Sequence, residues 1–312
     1  MRTRRSQSSN DPVLSGPKDL VHRPVLLHET IDSLALAKGD LVVDATLGGV
    51  GHSALIAEKL GRKGILVGID ADKDAIQRAR VALESVLPKV VLIEGNFRDL
   101  KSLLAERGIV SIDKALFDLG WSSYQLSAGR GFSFLADEPL SMTYAHDAKL
   151  SAETIVNEWG EESLADIIYG FGEERYARQI ARGIVLSRAR RRIATASELA
   201  EVIRSSVPAR YAHGRLHPAT KTFQALRIAV NDELGALEKG LREAWGLLSS
   251  GGRIAVITFH SIEDRIVKRM YREWRDEKLG VLLTKKPIVP TREEVAENPR
   301  ARSGKLRVIE KL

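Results

Sequence analysis

The sequence predicts an α/β chain, a mainly parallel, doubly wound sheet with an inserted all-α domain. Three observations lead there. Short apolar runs alternate with helix patterns, at 41–43, 65–69, 90–93, 114–117 and 253–259, as in a sheet wound through crossover helices. A glycine-rich turn, Gly48-Gly49-Val50-Gly51, joins the first run to the first helix pattern. Between residues 125 and 225 no strand pattern occurs.

Leu41-Val42-Val43 is short and apolar, as a buried parallel strand should be. Asp44 closes it, and Gly48, Gly49 and Gly51 permit a tight turn and close backbone approach to a ligand. Residues 53–60 have helical spacing, so the turn opens on a helix N-terminus with unsatisfied N–H groups. The next strand ends at Asp70, where a carboxylate can accept hydrogen bonds from ribose hydroxyls. The third leads into Glu94-Gly95-Asn96-Phe97, whose aromatic ring suits the face of an adenine. The fourth leads into Asp118-Leu119-Gly120-Trp121-Ser122-Ser123, and the fifth into His260-Ser261. Runs at 281–283 and 306–309 are expected to close the sheet as an antiparallel pair.

Helix patterns fill the interruption at 152–157, 162–169, 173–188 and 197–206, with Ser151 and Ser197-Glu198 as starts. Pro208, His217 and Pro218 mark a loop before a last helix at 220–231. The expected organisation is a disordered basic tail at 1–21, a cofactor-binding domain from 22–124 and 226–312, and a helical substrate-recognition domain at 125–225. A transit peptide is the second reading of the tail.

The 312 residues carry a net charge of +7 and no cysteine. Disulfides and thiolate metal sites are excluded, and so is pyrimidine carbon-5 methylation, which needs a covalent thiolate. No metal cluster with credible ligand spacing is seen. Between Arg175 and Lys221 stand eleven Lys/Arg against Glu198 and Glu201, densest at 188–192. A second basic zone follows Lys285. Such a balance favours a polyanionic partner, nucleic acid first. No apolar run reaches the roughly 20 residues of a membrane span, so no membrane partner and a cytoplasmic location are expected.

Gly49-x-Gly51-x-x-Ala54 with Asp70 beyond it also fits a dinucleotide fingerprint. There, however, the first glycine follows the strand directly, whereas here Asp44-Ala45-Thr46-Leu47 intervenes. The resulting D-x-x-x-G resembles the first motif of S-adenosyl-L-methionine (SAM) methyltransferases. In such an enzyme Asp118 would contact either the cofactor's amino group or the amine to be methylated. An exocyclic cytosine amine is a poor nucleophile, and a carboxylate accepting its N–H would activate it. Asp118 is the candidate, with His260 or Ser261 orienting the base and Trp121 stacking on it.

With these residues assembled, the chain resembles the bacterial 16S rRNA cytosine-N4 methyltransferases. The matching segments are HRPVLLHETI (22–31), DATLGGVGHS (44–53), GIDADKDAI (68–76), FDLGWSSYQL (117–126), GFSF (131–134), FGEER (171–175), HPATKTFQALRIAVN (217–231), GGRIAVITFHSIEDRIVK (251–268) and ENPRARSGKLR (297–307). The resemblance implies a Rossmann-like fold and SAM as cofactor. It implies as substrate the 4-amino nitrogen of a decoding-region cytidine, within 16S rRNA of the small ribosomal subunit. It maps cofactor contacts onto Gly49, Val50, Gly51, His52, Asp70, Phe97, Asp118 and Gln125. A homodimer is left open.

Two departures stand out. The family usually has G-G-H where this chain has Val50-Gly51-His52, and contacts there are expected to run through the backbone. The family stretch P-L-D-M-R-M reads here Pro139-Leu140-Ser141-Met142-Thr143-Tyr144, without its acid and arginine. If that pair fixes a substrate loop, this chain holds the loop another way. Two alternatives remain from sequence: an amino-methyltransferase acting on DNA or another RNA, and a non-catalytic ribosome-assembly protein.

Overall fold

The computed structural model describes residues 23–120, 129–145, 148–214 and 216–312. The sheet is built from β1 (Leu41–Asp44), β2 (Ile65–Asp70), β3 (Lys89–Glu94), β4 (Ile112–Asp118), β5 (Leu248–Thr258), β6 (Gly280–Leu282) and β7 (Lys305–Lys311). Its spatial order is β3-β2-β1-β4-β5-β7-β6. The first five strands run parallel, and β7 and β6 add antiparallel at one edge. Register aligns the carboxyl ends: Asp44 lies opposite Gly68 and Leu116, Asp70 opposite Glu94, and Asp118 opposite Ile257. Strand order reverses between β1 and β4, which is where an open α/β sheet leaves its ligand crevice.

Side chains alternate across the sheet with period two. Val43, Val67, Ala115 and Ile254 face α4 (Leu100–Ala105), α11 (Glu233–Leu247) and α12 (Ser261–Asp276). In that layer the rings of Trp245 and Trp274 stack at 4.3 Å. Val42, Leu66, Leu116 and Ala255 face α1 (Leu27–Leu34), α2 (Gly51–Leu60) and α3 (Lys73–Ala82). Both faces are covered, so the central strands read as continuous apolar runs.

Between β4 and β5 the chain forms α5 (Ala152–Glu158), α6 (Glu161–Gly172), α7 (Ala177–Arg188), α8 (Ala196–Ser205), α9 (Ala209–Ala212) and α10 (Ala219–Asn231). These pack around a core of their own, including Ile155, Ile168, Ile180, Ile203, Phe223 and Leu226. Phe223 and Leu226 belong to α10, so this core continues past residue 225 to the end of that helix. Ser151 caps α5 by accepting the Thr154 N–H at 3.1 Å. For α8 the cap is Thr195, two residues before the expected start, in a reciprocal box with Glu198. The helix expected at 173–188 begins only at Ala177, because Glu173 (φ 49°) adopts the left-handed conformation that ends α6. Among the described residues no helix is long and apolar enough to cross a membrane.

Candidate active site

The carboxyl ends of β1 to β4 open into one cleft. Thr46, Gly48, Asp70, Asn96, Phe97, Asp118 and Gly120 line its sheet side, and Tyr144, Asn231, Glu233, Leu237 and Glu263 close it from the helices.

Asp70 is fixed by backbone donors. One oxygen accepts the Gly48 N–H at 2.8 Å and the other the Asp72 N–H at 2.8 Å. Burial pushes its pKa up to about 6, against the pull of those N–H groups. Asp44 is turned inward instead, accepting the Ser53 hydroxyl at 2.6 Å and the Thr46 N–H at 3.2 Å. It is 1% exposed and pins the glycine turn from beneath. Burial lifts its pKa to about 6 as well.

Asp118 stands at the centre. Its own N–H donates to the Thr46 hydroxyl at 2.6 Å. One carboxylate oxygen lies 3.5 Å from His52 Nδ1, and the other is buried with no hydrogen-bond partner among the described residues. Burial first, then the charge of Asp44, raises its pKa to about 7, opposed by the Gly120 N–H. A buried acceptor without a donor, on a cleft wall, is a group built to meet a ligand.

The other residues singled out in the sequence are distributed as follows. Phe97 lines the cleft, its ring edge-on to Phe117 at 5.5 Å. His52 is buried behind Asp118. Gly49 and Val50 lie on a separate open hollow beside α3, with Asp74, Gln77 and Val81. Val50 is left-handed (φ 69°) and packs its side chain into the apolar layer with Leu26 and Leu47. Gly51 owes its lack of a side chain to packing, since a Cβ there would sit 2.8 Å from Pro24. Gln125, Trp121, Ser122 and Ser123 lie outside the described residues.

His260 folds back as the N-cap of α12, where Nδ1 accepts the Glu263 N–H at 3.4 Å. Glu263 replies by accepting the Phe259 and His260 N–H groups at 2.8 and 3.3 Å. Ser261 points away from the cleft and donates to Glu173 at 2.6 Å. The ligand-type atoms of Glu233, His260 and Glu263 fall within 4.8 Å of one another; among the described residues His260 Nε2 has no hydrogen-bond partner and lies 3.1 Å from Glu263 Oε1. Besides the Glu263 and His260 bonds just given, Glu233 takes Arg227 and the Tyr144 hydroxyl.

The helical wall is what chemical reading of the sequence missed. Asn231, Glu233 and Glu263 lie in or beside the long segments 217–231 and 251–268, whose similarity to a family gave no role for them. Their nearness to Asp118 comes from the way α10, α11 and α12 return across the sheet ends. No local spacing reports it.

The profile of the MraW methylase family matches residues 19–312. The chain belongs to that family. Among its relatives is the ribosomal RNA small subunit methyltransferase H of Neorickettsia sennetsu, 48% identical over 96% of this chain and 99% of that one. The protein of the same name from Brevibacillus brevis is 45% identical over 93% and 98%. An rRNA methylase structure from Streptococcus thermophilus is 13% identical over 91% and 95% with TM-score 0.44, too loose a likeness to bear on the chemistry.

The cofactor of this MraW-family methylase is S-adenosyl-L-methionine. The cleft fits it. The side-chain-free Gly48 and the fixed Asp70 offer a place for a ribose, Phe97 an aromatic face for adenine, and the unpartnered Asp118 oxygen an acceptor. Phe97 itself is set by α11: a Cβ on Gly240 would lie 2.7 Å from its ring and 2.9 Å from its carbonyl oxygen. Gly240→Ala must therefore shift α11 or Phe97. It should cost about 1–3 kcal/mol of stability and weaken SAM binding, measured by thermal melting and calorimetric titration. Unchanged affinity would show that Phe97 does not grip the cofactor.

Proposed function

We propose that the chain transfers the SAM methyl group to the N4 amino nitrogen of a cytidine in the decoding region of 16S rRNA, acting on the small ribosomal subunit. The observation that carries this reading is the Asp118 carboxylate, which lines the same cleft as Asp70 and Phe97 and keeps one buried oxygen without a hydrogen-bond partner among the described residues. The names of the curated relatives support the RNA class.

SAM supplies an electrophilic methyl group on a sulfonium. The remaining work falls to the chain. Asp70 holds the ribose and Phe97 the adenine, so that donor and acceptor are aligned. Asp118 accepts an N–H of the cytosine amine, localises its lone pair and takes the proton as charge develops. A pKa near 7 suits a base working at neutral pH. His52 and Thr46 hold Asp118 in place. His260 shapes the rim through its capping box, and Ser261 ties that rim to the helices through Glu173. The sheet and the helices on its two faces hold the cofactor, and the helices from α5 to α10, with their own core, recognise the RNA.

The test is transfer of labelled methyl from SAM to undermethylated small subunits, followed by nucleoside analysis. Label in N4-methylcytidine is expected. Absence of label, or label on adenine or on cytosine carbon 5, would overturn the reading.

A further inference from the structure

In the densest basic run of the sequence, two of the four arginines are paired with carboxylates and a third is spent on a carbonyl. Arg188 donates to the Val156 carbonyl at 2.8 Å, Arg191 pairs with Glu198, and Arg192 with Glu153 at 2.7 Å. Arg204 is paired likewise with Glu201. By contrast Arg175, Arg178, Arg182 and Arg210 are exposed, and among the described residues none has a carboxylate partner. Arg178 and Arg182 are one turn apart on α7, and Arg210 adjoins Tyr211 on α9.

Two aromatic rings lie among these free charges. Tyr176 and Tyr211 meet at 4.8 Å, and the Arg175 guanidinium lies 4.8 and 4.9 Å from their centroids. The pair is held from below by Glu174, which is fully buried and accepts the Tyr176 N–H at 2.9 Å and the Tyr211 hydroxyl. The neighbouring Glu173 binds Ser261 and Arg265, both at 2.6 Å, at the start of the helix that carries the cleft residue Glu263. The FGEER segment thus does two jobs. Glu173 joins the helices to the cleft rim, while Glu174 and Arg175 organise a half-buried aromatic pair under an exposed cation beside that joint.

Planar groups of this kind are what single-stranded RNA stacks on, and unpaired arginines are what its phosphates meet. We infer that Arg175, Tyr176 and Tyr211 form a stacking platform for an unpaired nucleotide flanking the target, with neighbouring phosphates on Arg178, Arg182 and Arg210. This rests on the RNA-substrate reading above and deepens it: the required RNA is single-stranded beside its target.

The test measures binding of a fluorescein-labelled single-stranded RNA oligonucleotide and of its duplex by anisotropy, together with steady-state methylation of small subunits. Tyr176→Leu should weaken single-strand binding about 5- to 150-fold, the range for losing one base–aromatic stack, with less effect on duplex. Tyr176→Phe, which keeps the ring, should restore it. The exposed double variant Arg178→Glu/Arg182→Glu should bind more weakly and flatten the salt dependence by about 1.4 in log–log slope, at ~0.7 per phosphate. Both variants should raise KM for small subunits and leave kcat and SAM affinity unchanged. Wild-type affinity and KM in both variants, with methylation intact, would overturn the platform alone. Loss of single-strand binding in the variants, when even the wild type methylates no small subunit, would keep the platform and overturn the substrate reading.

Discussion

Asp118→Asn should lower methyl transfer by about 10²- to 10⁴-fold, the range for losing a positioned general base, while the fold persists and becomes more stable above neutral pH. The two effects have one cause. Burial and the charge of Asp44 raise the Asp118 pKa from its ordinary 3.8 to about 7. Between those values the unfolded chain has released the proton and the folded chain retains it. The folded state therefore binds more protons, and this group's contribution to stability falls as pH rises from about 4 to about 7. Asparagine removes that penalty. Its melting temperature should exceed wild type at pH 8 and match it near pH 4, by roughly 2–4 °C for each kcal/mol relieved. The wild-type rate at limiting RNA should rise with pH through about 7, as the carboxylate ionises, and the residual activity of the variant should lack that limb. Wild-type turnover in Asp118→Asn would remove this residue from the chemistry. A flat wild-type profile would leave it as an orienting acceptor only.

The sheet side of the cleft was legible because each contribution is local. A strand, its terminal acid and the following turn are contiguous, so Asp70, Phe97 and Asp118 announce their place through strand pattern alone. The same logic misreads residues whose neighbours decide their direction. Asp44 also ends a strand, yet Ser53 and the Thr46 N–H draw it inward. His260 and Ser261 end one too, but the first caps α12 and the second reaches across to Glu173. Charge density misleads in a related way. The 188–192 run is conspicuous in sequence, whereas the arginines left without carboxylates are spread over 175–210 and emerge only when partners are known. Gly51 shows the limit of motif reading: its place in the glycine turn suggested a ligand, and Pro24 is what lies against it.

Glu233→Ala should destabilise the protein by about 3–5 kcal/mol, the cost of breaking a buried ion pair from one side, and lower the melting temperature by on the order of 10 °C. Arg227 meets Glu233 through two bonds of 2.8 and 2.9 Å, with side chains only 10% and 12% exposed. Burial works against the Arg227 charge, and the Glu233 carboxylate more than restores it. The Tyr144 hydroxyl donates to the same carboxylate at 2.9 Å, and burial together with that charge keeps the phenol protonated. This is how the chain holds segment 139–144 without the family's acid and arginine. Ser141 and Thr143 bond each other through their hydroxyls at 2.9 Å, Asn231 takes the Tyr144 N–H at 2.9 Å and gives to the Met142 carbonyl at 2.8 Å, and Tyr144 closes on Glu233. Tyr144→Phe leaves the ion pair intact and should cost only about 1 kcal/mol. Arg227→Met/Glu233→Leu, which removes both charges and fills their volume, should melt above Glu233→Ala. Because Tyr144, Asn231 and Glu233 form the cleft wall facing Asp118, Glu233→Ala should also raise KM for the RNA at temperatures where it is still folded. If Glu233→Ala melts within 2 °C of wild type, at about 2–4 °C per kcal/mol, the pair is not what supports that wall, and the hold on 139–144 rests on Asn231 and on Arg130, which donates to the Tyr144 carbonyl at 2.7 Å.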